Sequence, residues 1–102
     1  MTIAQVTHEI ALLGTTPEEI ASTLEALERK GVPGRAGECV LARHLQALGA
    51  DDAVVCMDGL DHVEVRWGED LSNMVKGTDG IDRFVAEFDG GKHRNLVQSW
   101  GV

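Results

Sequence analysis

The stretch TPEEIASTLEALERKGVPGRAGECVLARHLQALG, residues 16–49, decides the fold. Thr16 stands where an N-cap belongs, Pro17 takes the first helical position, and Glu19 follows three residues after the cap, which is a capping-box pattern. Ile20, Leu24 and Leu27 then recur at i, i+4 and i+7, an apolar stripe on a helical period. Arg29 and Lys30 fall where a last turn accepts cations, and Gly31 is read as the left-handed residue that ends the helix. After the glycine-rich connection 31–37, a second helix is expected from about Ala36 to Leu48, with the stripe Leu41, Leu45, Leu48 and a stop at Gly49. Two such stripes on a short connection predict antiparallel neighbours that bury their leucines against each other.

Working outward, Thr2 with Gln5 repeats the capping-box pattern. Ile3, Val6, Ile10 and Leu13 fit a helix over 2–13 that stops at Gly14. On the other side, residues 53–57 are short and β-branched, and His62 to Trp67 alternates cleanly. A two-residue turn at Asp58-Gly59 would mix the faces of this hairpin. A connection from Asp58 to Asp61 opposes Cys56 to Val63 and Val54 to Val65, collecting Val54, Cys56, Val63, Val65 and Trp67 on one apolar face. Leu71 to Val75 is read as a short third strand. Asp79 is expected to cap a last helix with the stripe Ile81, Phe84, Val85, Phe88, ended by Gly90-Gly91. Leu96, Val97 and Trp100 are expected to dock behind it. The reading is one α+β domain over residues 1–102: three N-terminal helices, a small antiparallel hairpin or three-stranded sheet, and a C-terminal helix.

Composition limits what such a domain does. In 102 residues, 43% are apolar but only 4% aromatic, so the core is mainly aliphatic. Seventeen acids against nine bases give a net charge of −8, which favours a basic protein partner and disfavours nucleic acid and anionic membranes. No apolar run reaches transmembrane length, and the N-terminus lacks the basic-then-apolar layout of a signal peptide. Two cysteines do not make a disulfide scaffold, so Cys39 and Cys56 are read as reduced thiols in a cytoplasm. Charge is also segregated. Residues 29–43 carry a local +3 (Arg29, Lys30, Arg35 and Arg43 against Glu38), and residues 51–70 a local −6 (Asp51, Asp52, Asp58, Asp61, Glu64, Glu69 and Asp70 against Arg66).

The chemistry-bearing patterns each have a structural reading. Gly31-x-x-Gly34 between two helices matches the clamp with which KH domains hold a nucleic-acid backbone. That fold would need residues 3–13 as a strand, and Pro33 removes a donor from the loop. No Gly-Lys-Ser/Thr ending follows, as a phosphate-binding loop requires. Arg35 with the free N–H groups of the second helix offers an anion site at most. Cys39, His44, Cys56 and His62 have the softness of zinc ligands. Residues five apart on a helix diverge by about 140°, and the preferred register turns Cys56 and His62 to opposite faces. Buried cysteines and surface histidines without metal or cofactor are expected. The acid pairs Glu18-Glu19, Asp51-Asp52 and Glu69-Asp70 sit at helix starts and turns and form no calcium loop.

Two stretches, residues 16–45 and IDRFVAEFDGGKHRNLV at 81–97, together resemble small uncharacterised proteins of high-GC Gram-positive bacteria (actinobacteria) and their phages. The resemblance rests on Gly31, Gly34, Cys39, Leu41, Leu45, Phe84, Phe88 and Leu96, with Val40 standing where that pattern has proline. It implies a bacterial or phage cytoplasm and no assigned activity. The expected function is a non-catalytic protein-binding or regulatory domain. It would meet a partner with a basic surface through Met57, Asp58, Asp61, His62, Glu64, Glu69 and Asp70. The alternative, a KH-like nucleic-acid binder, would use Lys30, Gly31, Gly34, Arg35 and Arg43. Self-association is left open.

Overall fold

Three threonines start three of the four helices. In the computed structural model, which describes residues 1–57 and 62–98, the Thr2 hydroxyl accepts from Gln5 N–H at 3.1 Å. The Gln5 side chain accepts from Thr2 N–H at 2.8 Å, and this closed box opens α1, Ile3–Leu12. Thr16 accepts from Glu19 N–H at 3.2 Å to start α2, Pro17–Ala26, but the Glu19 carboxylate reaches Thr15 N–H rather than the cap itself. The last helix, α4 at Asp79–Asp89, is capped by Thr78 and not by Asp79, whose side chain falls in the first turn. Helix α3, Val40–Ala47, is the exception: Cys39 caps it, its Sγ accepting from Ala42 N–H at 3.3 Å.

Both inner ends of the 16–49 unit differ from expectation. Glu28, at φ 58°, is the left-handed residue that ends α2. Glu28 N–H bonds Glu25 C=O and Arg29 N–H reaches back to Leu24 C=O, the two bonds of a Schellman motif. Arg29 and Lys30 therefore lie beyond the helix, and Leu27 is 48% exposed. Gly31 is glycine for a different reason. A Cβ there would sit 2.1 Å from Val40 N, so the backbones of residues 31 and 39–40 touch where no side chain fits. Residues 36–38 form turns rather than the first turn of α3, and Leu48 ends up surface-facing.

Strands β1 (Val54–Met57), β2 (Val63–Arg66) and β3 (Met74–Lys76) make one antiparallel sheet in that order. Its register corrects the expected one by a residue: Val55 opposes Val65 and Met57 opposes Val63. Ala50 and Ala53, both fully buried, enter the strand in a phase that points Val55 inward. The buried face is then Ala53, Val55, Val63, Val65 and Trp67, while Val54 and Cys56 turn to the other side with Glu64 and Arg66. Strand β3 begins at Met74, because residues 70–73 turn and leave Leu71 89% exposed. The expected connection from Asp58 to Asp61 and the docking of Trp100 fall outside the described residues.

The helices cover the inner sheet face. Helix α2 packs chiefly on α4, and α3 on β1, so the two helices are not each other's main neighbour as expected, although their leucines share one core. Ile20, Leu24, Phe84 and Phe88 are among the fully buried side chains, the phenylalanine rings 6.2 Å apart. Each such burial contributes roughly 1.5–3 kcal/mol. A Cβ on Gly80 would lie 2.2 Å from Thr15 C=O, which brings the start of α4 directly onto the α1–α2 corner. A 3₁₀ turn, Arg94–Leu96, brings the chain back beside residue 31, where Gly31 and Val97 form an isolated parallel bridge.

Candidate functional site

The glycine-rich corner was the candidate for a phosphate or nucleic-acid clamp, and its donors are already taken. Gly31 N–H bonds Leu96 C=O and Gly31 C=O accepts from Gln98 N–H, both at 2.9 Å. Gly34, at φ 78°, donates its N–H to Asp89 Oδ1 at 2.9 Å. A carboxylate thus occupies the position where a clamped phosphate would sit. The cations are engaged as well: Arg29 with His44, Lys30 with Asn95 C=O, Arg35 with Glu38 at 3.1 Å, and Arg43 with Gln98 and Glu38. The strand that a KH arrangement needs at its start is instead α1.

The four soft side chains lie apart. Cys39 is a buried cap whose thiol is pushed up to about 11, first by burial. His44 is buried at 3% exposure rather than at the surface, its Nδ1 accepting from Arg29 Nε at 3.0 Å. His62 meets Asp82 at 3.2 Å, and Asp82 also accepts from Val63 N–H at 2.8 Å. Among the described residues no three His, Cys, Asp or Glu side chains converge as a metal site would require.

One cleft, of about 260 Å³, does draw on both predicted sets. Met57 from the first set lines it together with Gly34 and Arg35 from the second, alongside Cys39, Val85 and Asp89. Asp89 had no signal in the sequence: it sits 55 residues from the Gly34 it holds.

The acidic set divides. Met57 and His62 lie at one end of the sheet, and Glu69 and Asp70 at the other, roughly 20 Å away for a strand rising about 3.3 Å per residue. Between them Glu64 is half-buried and pairs with Arg66 at 2.9 Å, with Lys76 opposite it on β3, so the outer sheet face carries no excess of acid. Asp58 and Asp61 lie outside the described residues. The far end is built firmly. Asp70 Oδ1 accepts from Ser72 N–H at 2.9 Å and Ser72 Oγ–H at 2.8 Å, and these bonds hold its carboxyl below the ordinary range. Gly68 N–H donates to Asp51 C=O at 2.8 Å, which brings the Asp51-Asp52 turn alongside Glu69 and Asp70. Exposed Leu71 stands on this turn. Sequence reasoning counted Asp51 and Asp52 in the local charge but left them out of the surface, and placed Leu71 in a strand.

No protein-family model, curated protein or solved structure matches the chain. Among the described residues no helix is long and apolar enough to cross a membrane.

Proposed function

We propose that the chain is a non-catalytic protein-binding or regulatory domain that docks a basic partner surface through its acidic turn. Asp51, Asp52, Glu69 and Asp70 supply the charge and Leu71 the apolar anchor. The observation that carries this is the 89% exposure of Leu71 on a turn held by the Asp70–Ser72 bonds. An apolar side chain held out on an ordered turn loses little conformational freedom when a partner pocket closes on it, and flanking acids speed the encounter with a basic rim. A bacterial or phage cytoplasm is the setting implied by the resemblance and by two free thiols. The KH-like alternative is disfavoured by the internal partners of Gly31, Gly34 and the four cations.

The test is affinity capture from a high-GC Gram-positive lysate with wild-type bait, Leu71→Ser bait and Glu69→Lys/Asp70→Lys bait. A partner lost from both variants and retained on Arg35→Glu/Arg43→Glu bait supports the acidic turn. A partner lost only when Arg35 and Arg43 are reversed moves the site to the glycine-rich corner.

A further inference from the structure

His44 is the one polar or charged side chain in the buried core among the described residues. Its partner sets its chemistry. A guanidinium N–H only donates, so Nδ1 of His44 must present its lone pair to Arg29 Nε, and the ring is neutral in this arrangement. Arg29 is held in place by the chain: it is the residue after left-handed Glu28, with its own N–H bonded to Leu24 C=O. The next two residues carry the links to the C-terminal segment. Lys30 bonds Asn95 C=O, and Gly31 forms the bridge with Val97 while its backbone presses on residues 39–40 of the α3 start. One buried ring therefore adjoins the segment that ties α2, α3 and residues 94–98 together.

We propose that the His44–Arg29 contact is an acid-operated latch: protonation of His44 expels Arg29 and loosens the Gly31–Val97 bridge that holds residues 94–98. Adding the proton turns the only acceptor of the pair into a donor. It also sets two positive charges about 3 Å apart at a part-buried site, where like charges repel more than in open water. Arg29 has an exit to solvent, whereas His44, in the middle of α3, does not. The groups facing His44 are Arg29 from the segment after α2, which opposes protonation, and Glu9 from α1, which favours it. Burial is the largest influence and also opposes it, so the imidazole titrates below its ordinary value of 6.5. The latch is closed at neutral pH and opens as acid protonates the ring from below that value.

Hydrogen exchange reads the latch directly. Protection factors, which remove the intrinsic pH dependence of exchange, are compared for Gly31 and Gln98 and, as a control just past β3, for Gly77, which donates to Val63 C=O. His44 protonation is followed in the same samples through its ring carbon shift. As His44 protonates, Gly31 and Gln98 should lose about tenfold in protection, the scale of a lost charge-assisted hydrogen bond, with Gly77 unchanged. His44→Gln, which keeps an acceptor but does not titrate, should show no such fall. If that variant does not fold, Arg29→Met serves instead, with low protection at Gly31 and Gln98 already at neutral pH and no further fall on acidification. The proposal is overturned if Gly31 and Gln98 keep their protection while His44 protonates, or if the variants show the wild-type fall. A ring that stays neutral until the whole domain unfolds also overturns it.

Discussion

The glycine-rich corner and the acidic turn are both short loops dense in charge, and the chain uses them in opposite ways. At the corner the charges are engaged by other parts of the chain, although most stay at the surface. Asp89 closes on Gly34, Lys30 on Asn95, Arg43 on Gln98, and Arg29 on His44. At the turn only Asp70 is engaged, and it bonds its own neighbour Ser72, two residues away, leaving the surface beyond it to solvent. Local charge in a sequence therefore does not separate a binding surface from a clasp. What separates them is whether the partners come from distant parts of the same chain.

Substitution should break the two regions differently. The largest effect is expected at Gly31→Val, where the added carbons collide with the backbone at residues 39–40. A loss of more than about 3 kcal/mol in a denaturant series is expected, enough to threaten folding. A variant as stable as wild type would mean that the corner is open. Next is Leu71→Ser, which should cost partner binding about 2 kcal/mol as a buried anchor does. Its denaturant midpoint should stay where it was, since an 89% exposed side chain contributes almost nothing to the fold. Loss of stability without loss of binding would reverse the assignment of the two regions.

Glu28→Gly sharpens the comparison from the other side. Glycine takes φ 58° without the steric cost borne by glutamate, so the variant should be stabilised by about 0.5–1 kcal/mol, seen as a raised denaturant midpoint. Gly31 does not have a positive φ, so backbone angle alone would predict little difference between valine and wild type there, which is why the two variants belong in one experiment. The smallest effect is at Asp70. Its carboxyl pKa is lowered in the folded state by the bonds from Ser72, so its contribution is present above the ordinary value of 3.8 and is lost as pH falls through the lowered one. Asp70→Asn should flatten the acid side of the melting-temperature profile slightly and leave its neutral part unchanged.

Much of the fold was legible because helix starts are local. Thr2 with Gln5, Thr16 with Pro17, and the stripe Ile20, Leu24 are decided within one or two turns, and the α+β layout followed from them. The misses lie where distant residues decide. Gly31 looked like a helix cap because nothing nearby shows that α3 and the C-terminal segment press against it, and Glu28 carries no residue-type signal for a left-handed angle. The hairpin slipped by one residue because the buried alanines 50 and 53, not the stronger valine and cysteine signals, set the strand phase. The candidate site was less legible than the fold. Counting charge found both loops, but Asn95, Gln98 and Asp89 occupy the donors of the corner from 55 to 65 residues away, and no window along the chain reveals that. Leu71 was hidden by its resemblance to a strand residue.

The Gly31–Val97 bridge also orders events in time. Joining residue 30 to residue 95 from an open chain closes a loop of some 65 residues, an entropic cost of about 4 kcal/mol, against a few short hydrogen bonds gained. Closing it first is therefore unfavourable. Once α2 lies on α4 most of that loop is already drawn in, and residues 94–98 need only swing a short way to meet Gly31. The contacts of residues 94–98 with the glycine-rich corner are thus expected to form after α2 and α4 have packed. On a ribosome the first two helices emerge long before the residues 94–98 that complete this corner, with the backbone donor of Gly31 left to water until this segment clears the tunnel.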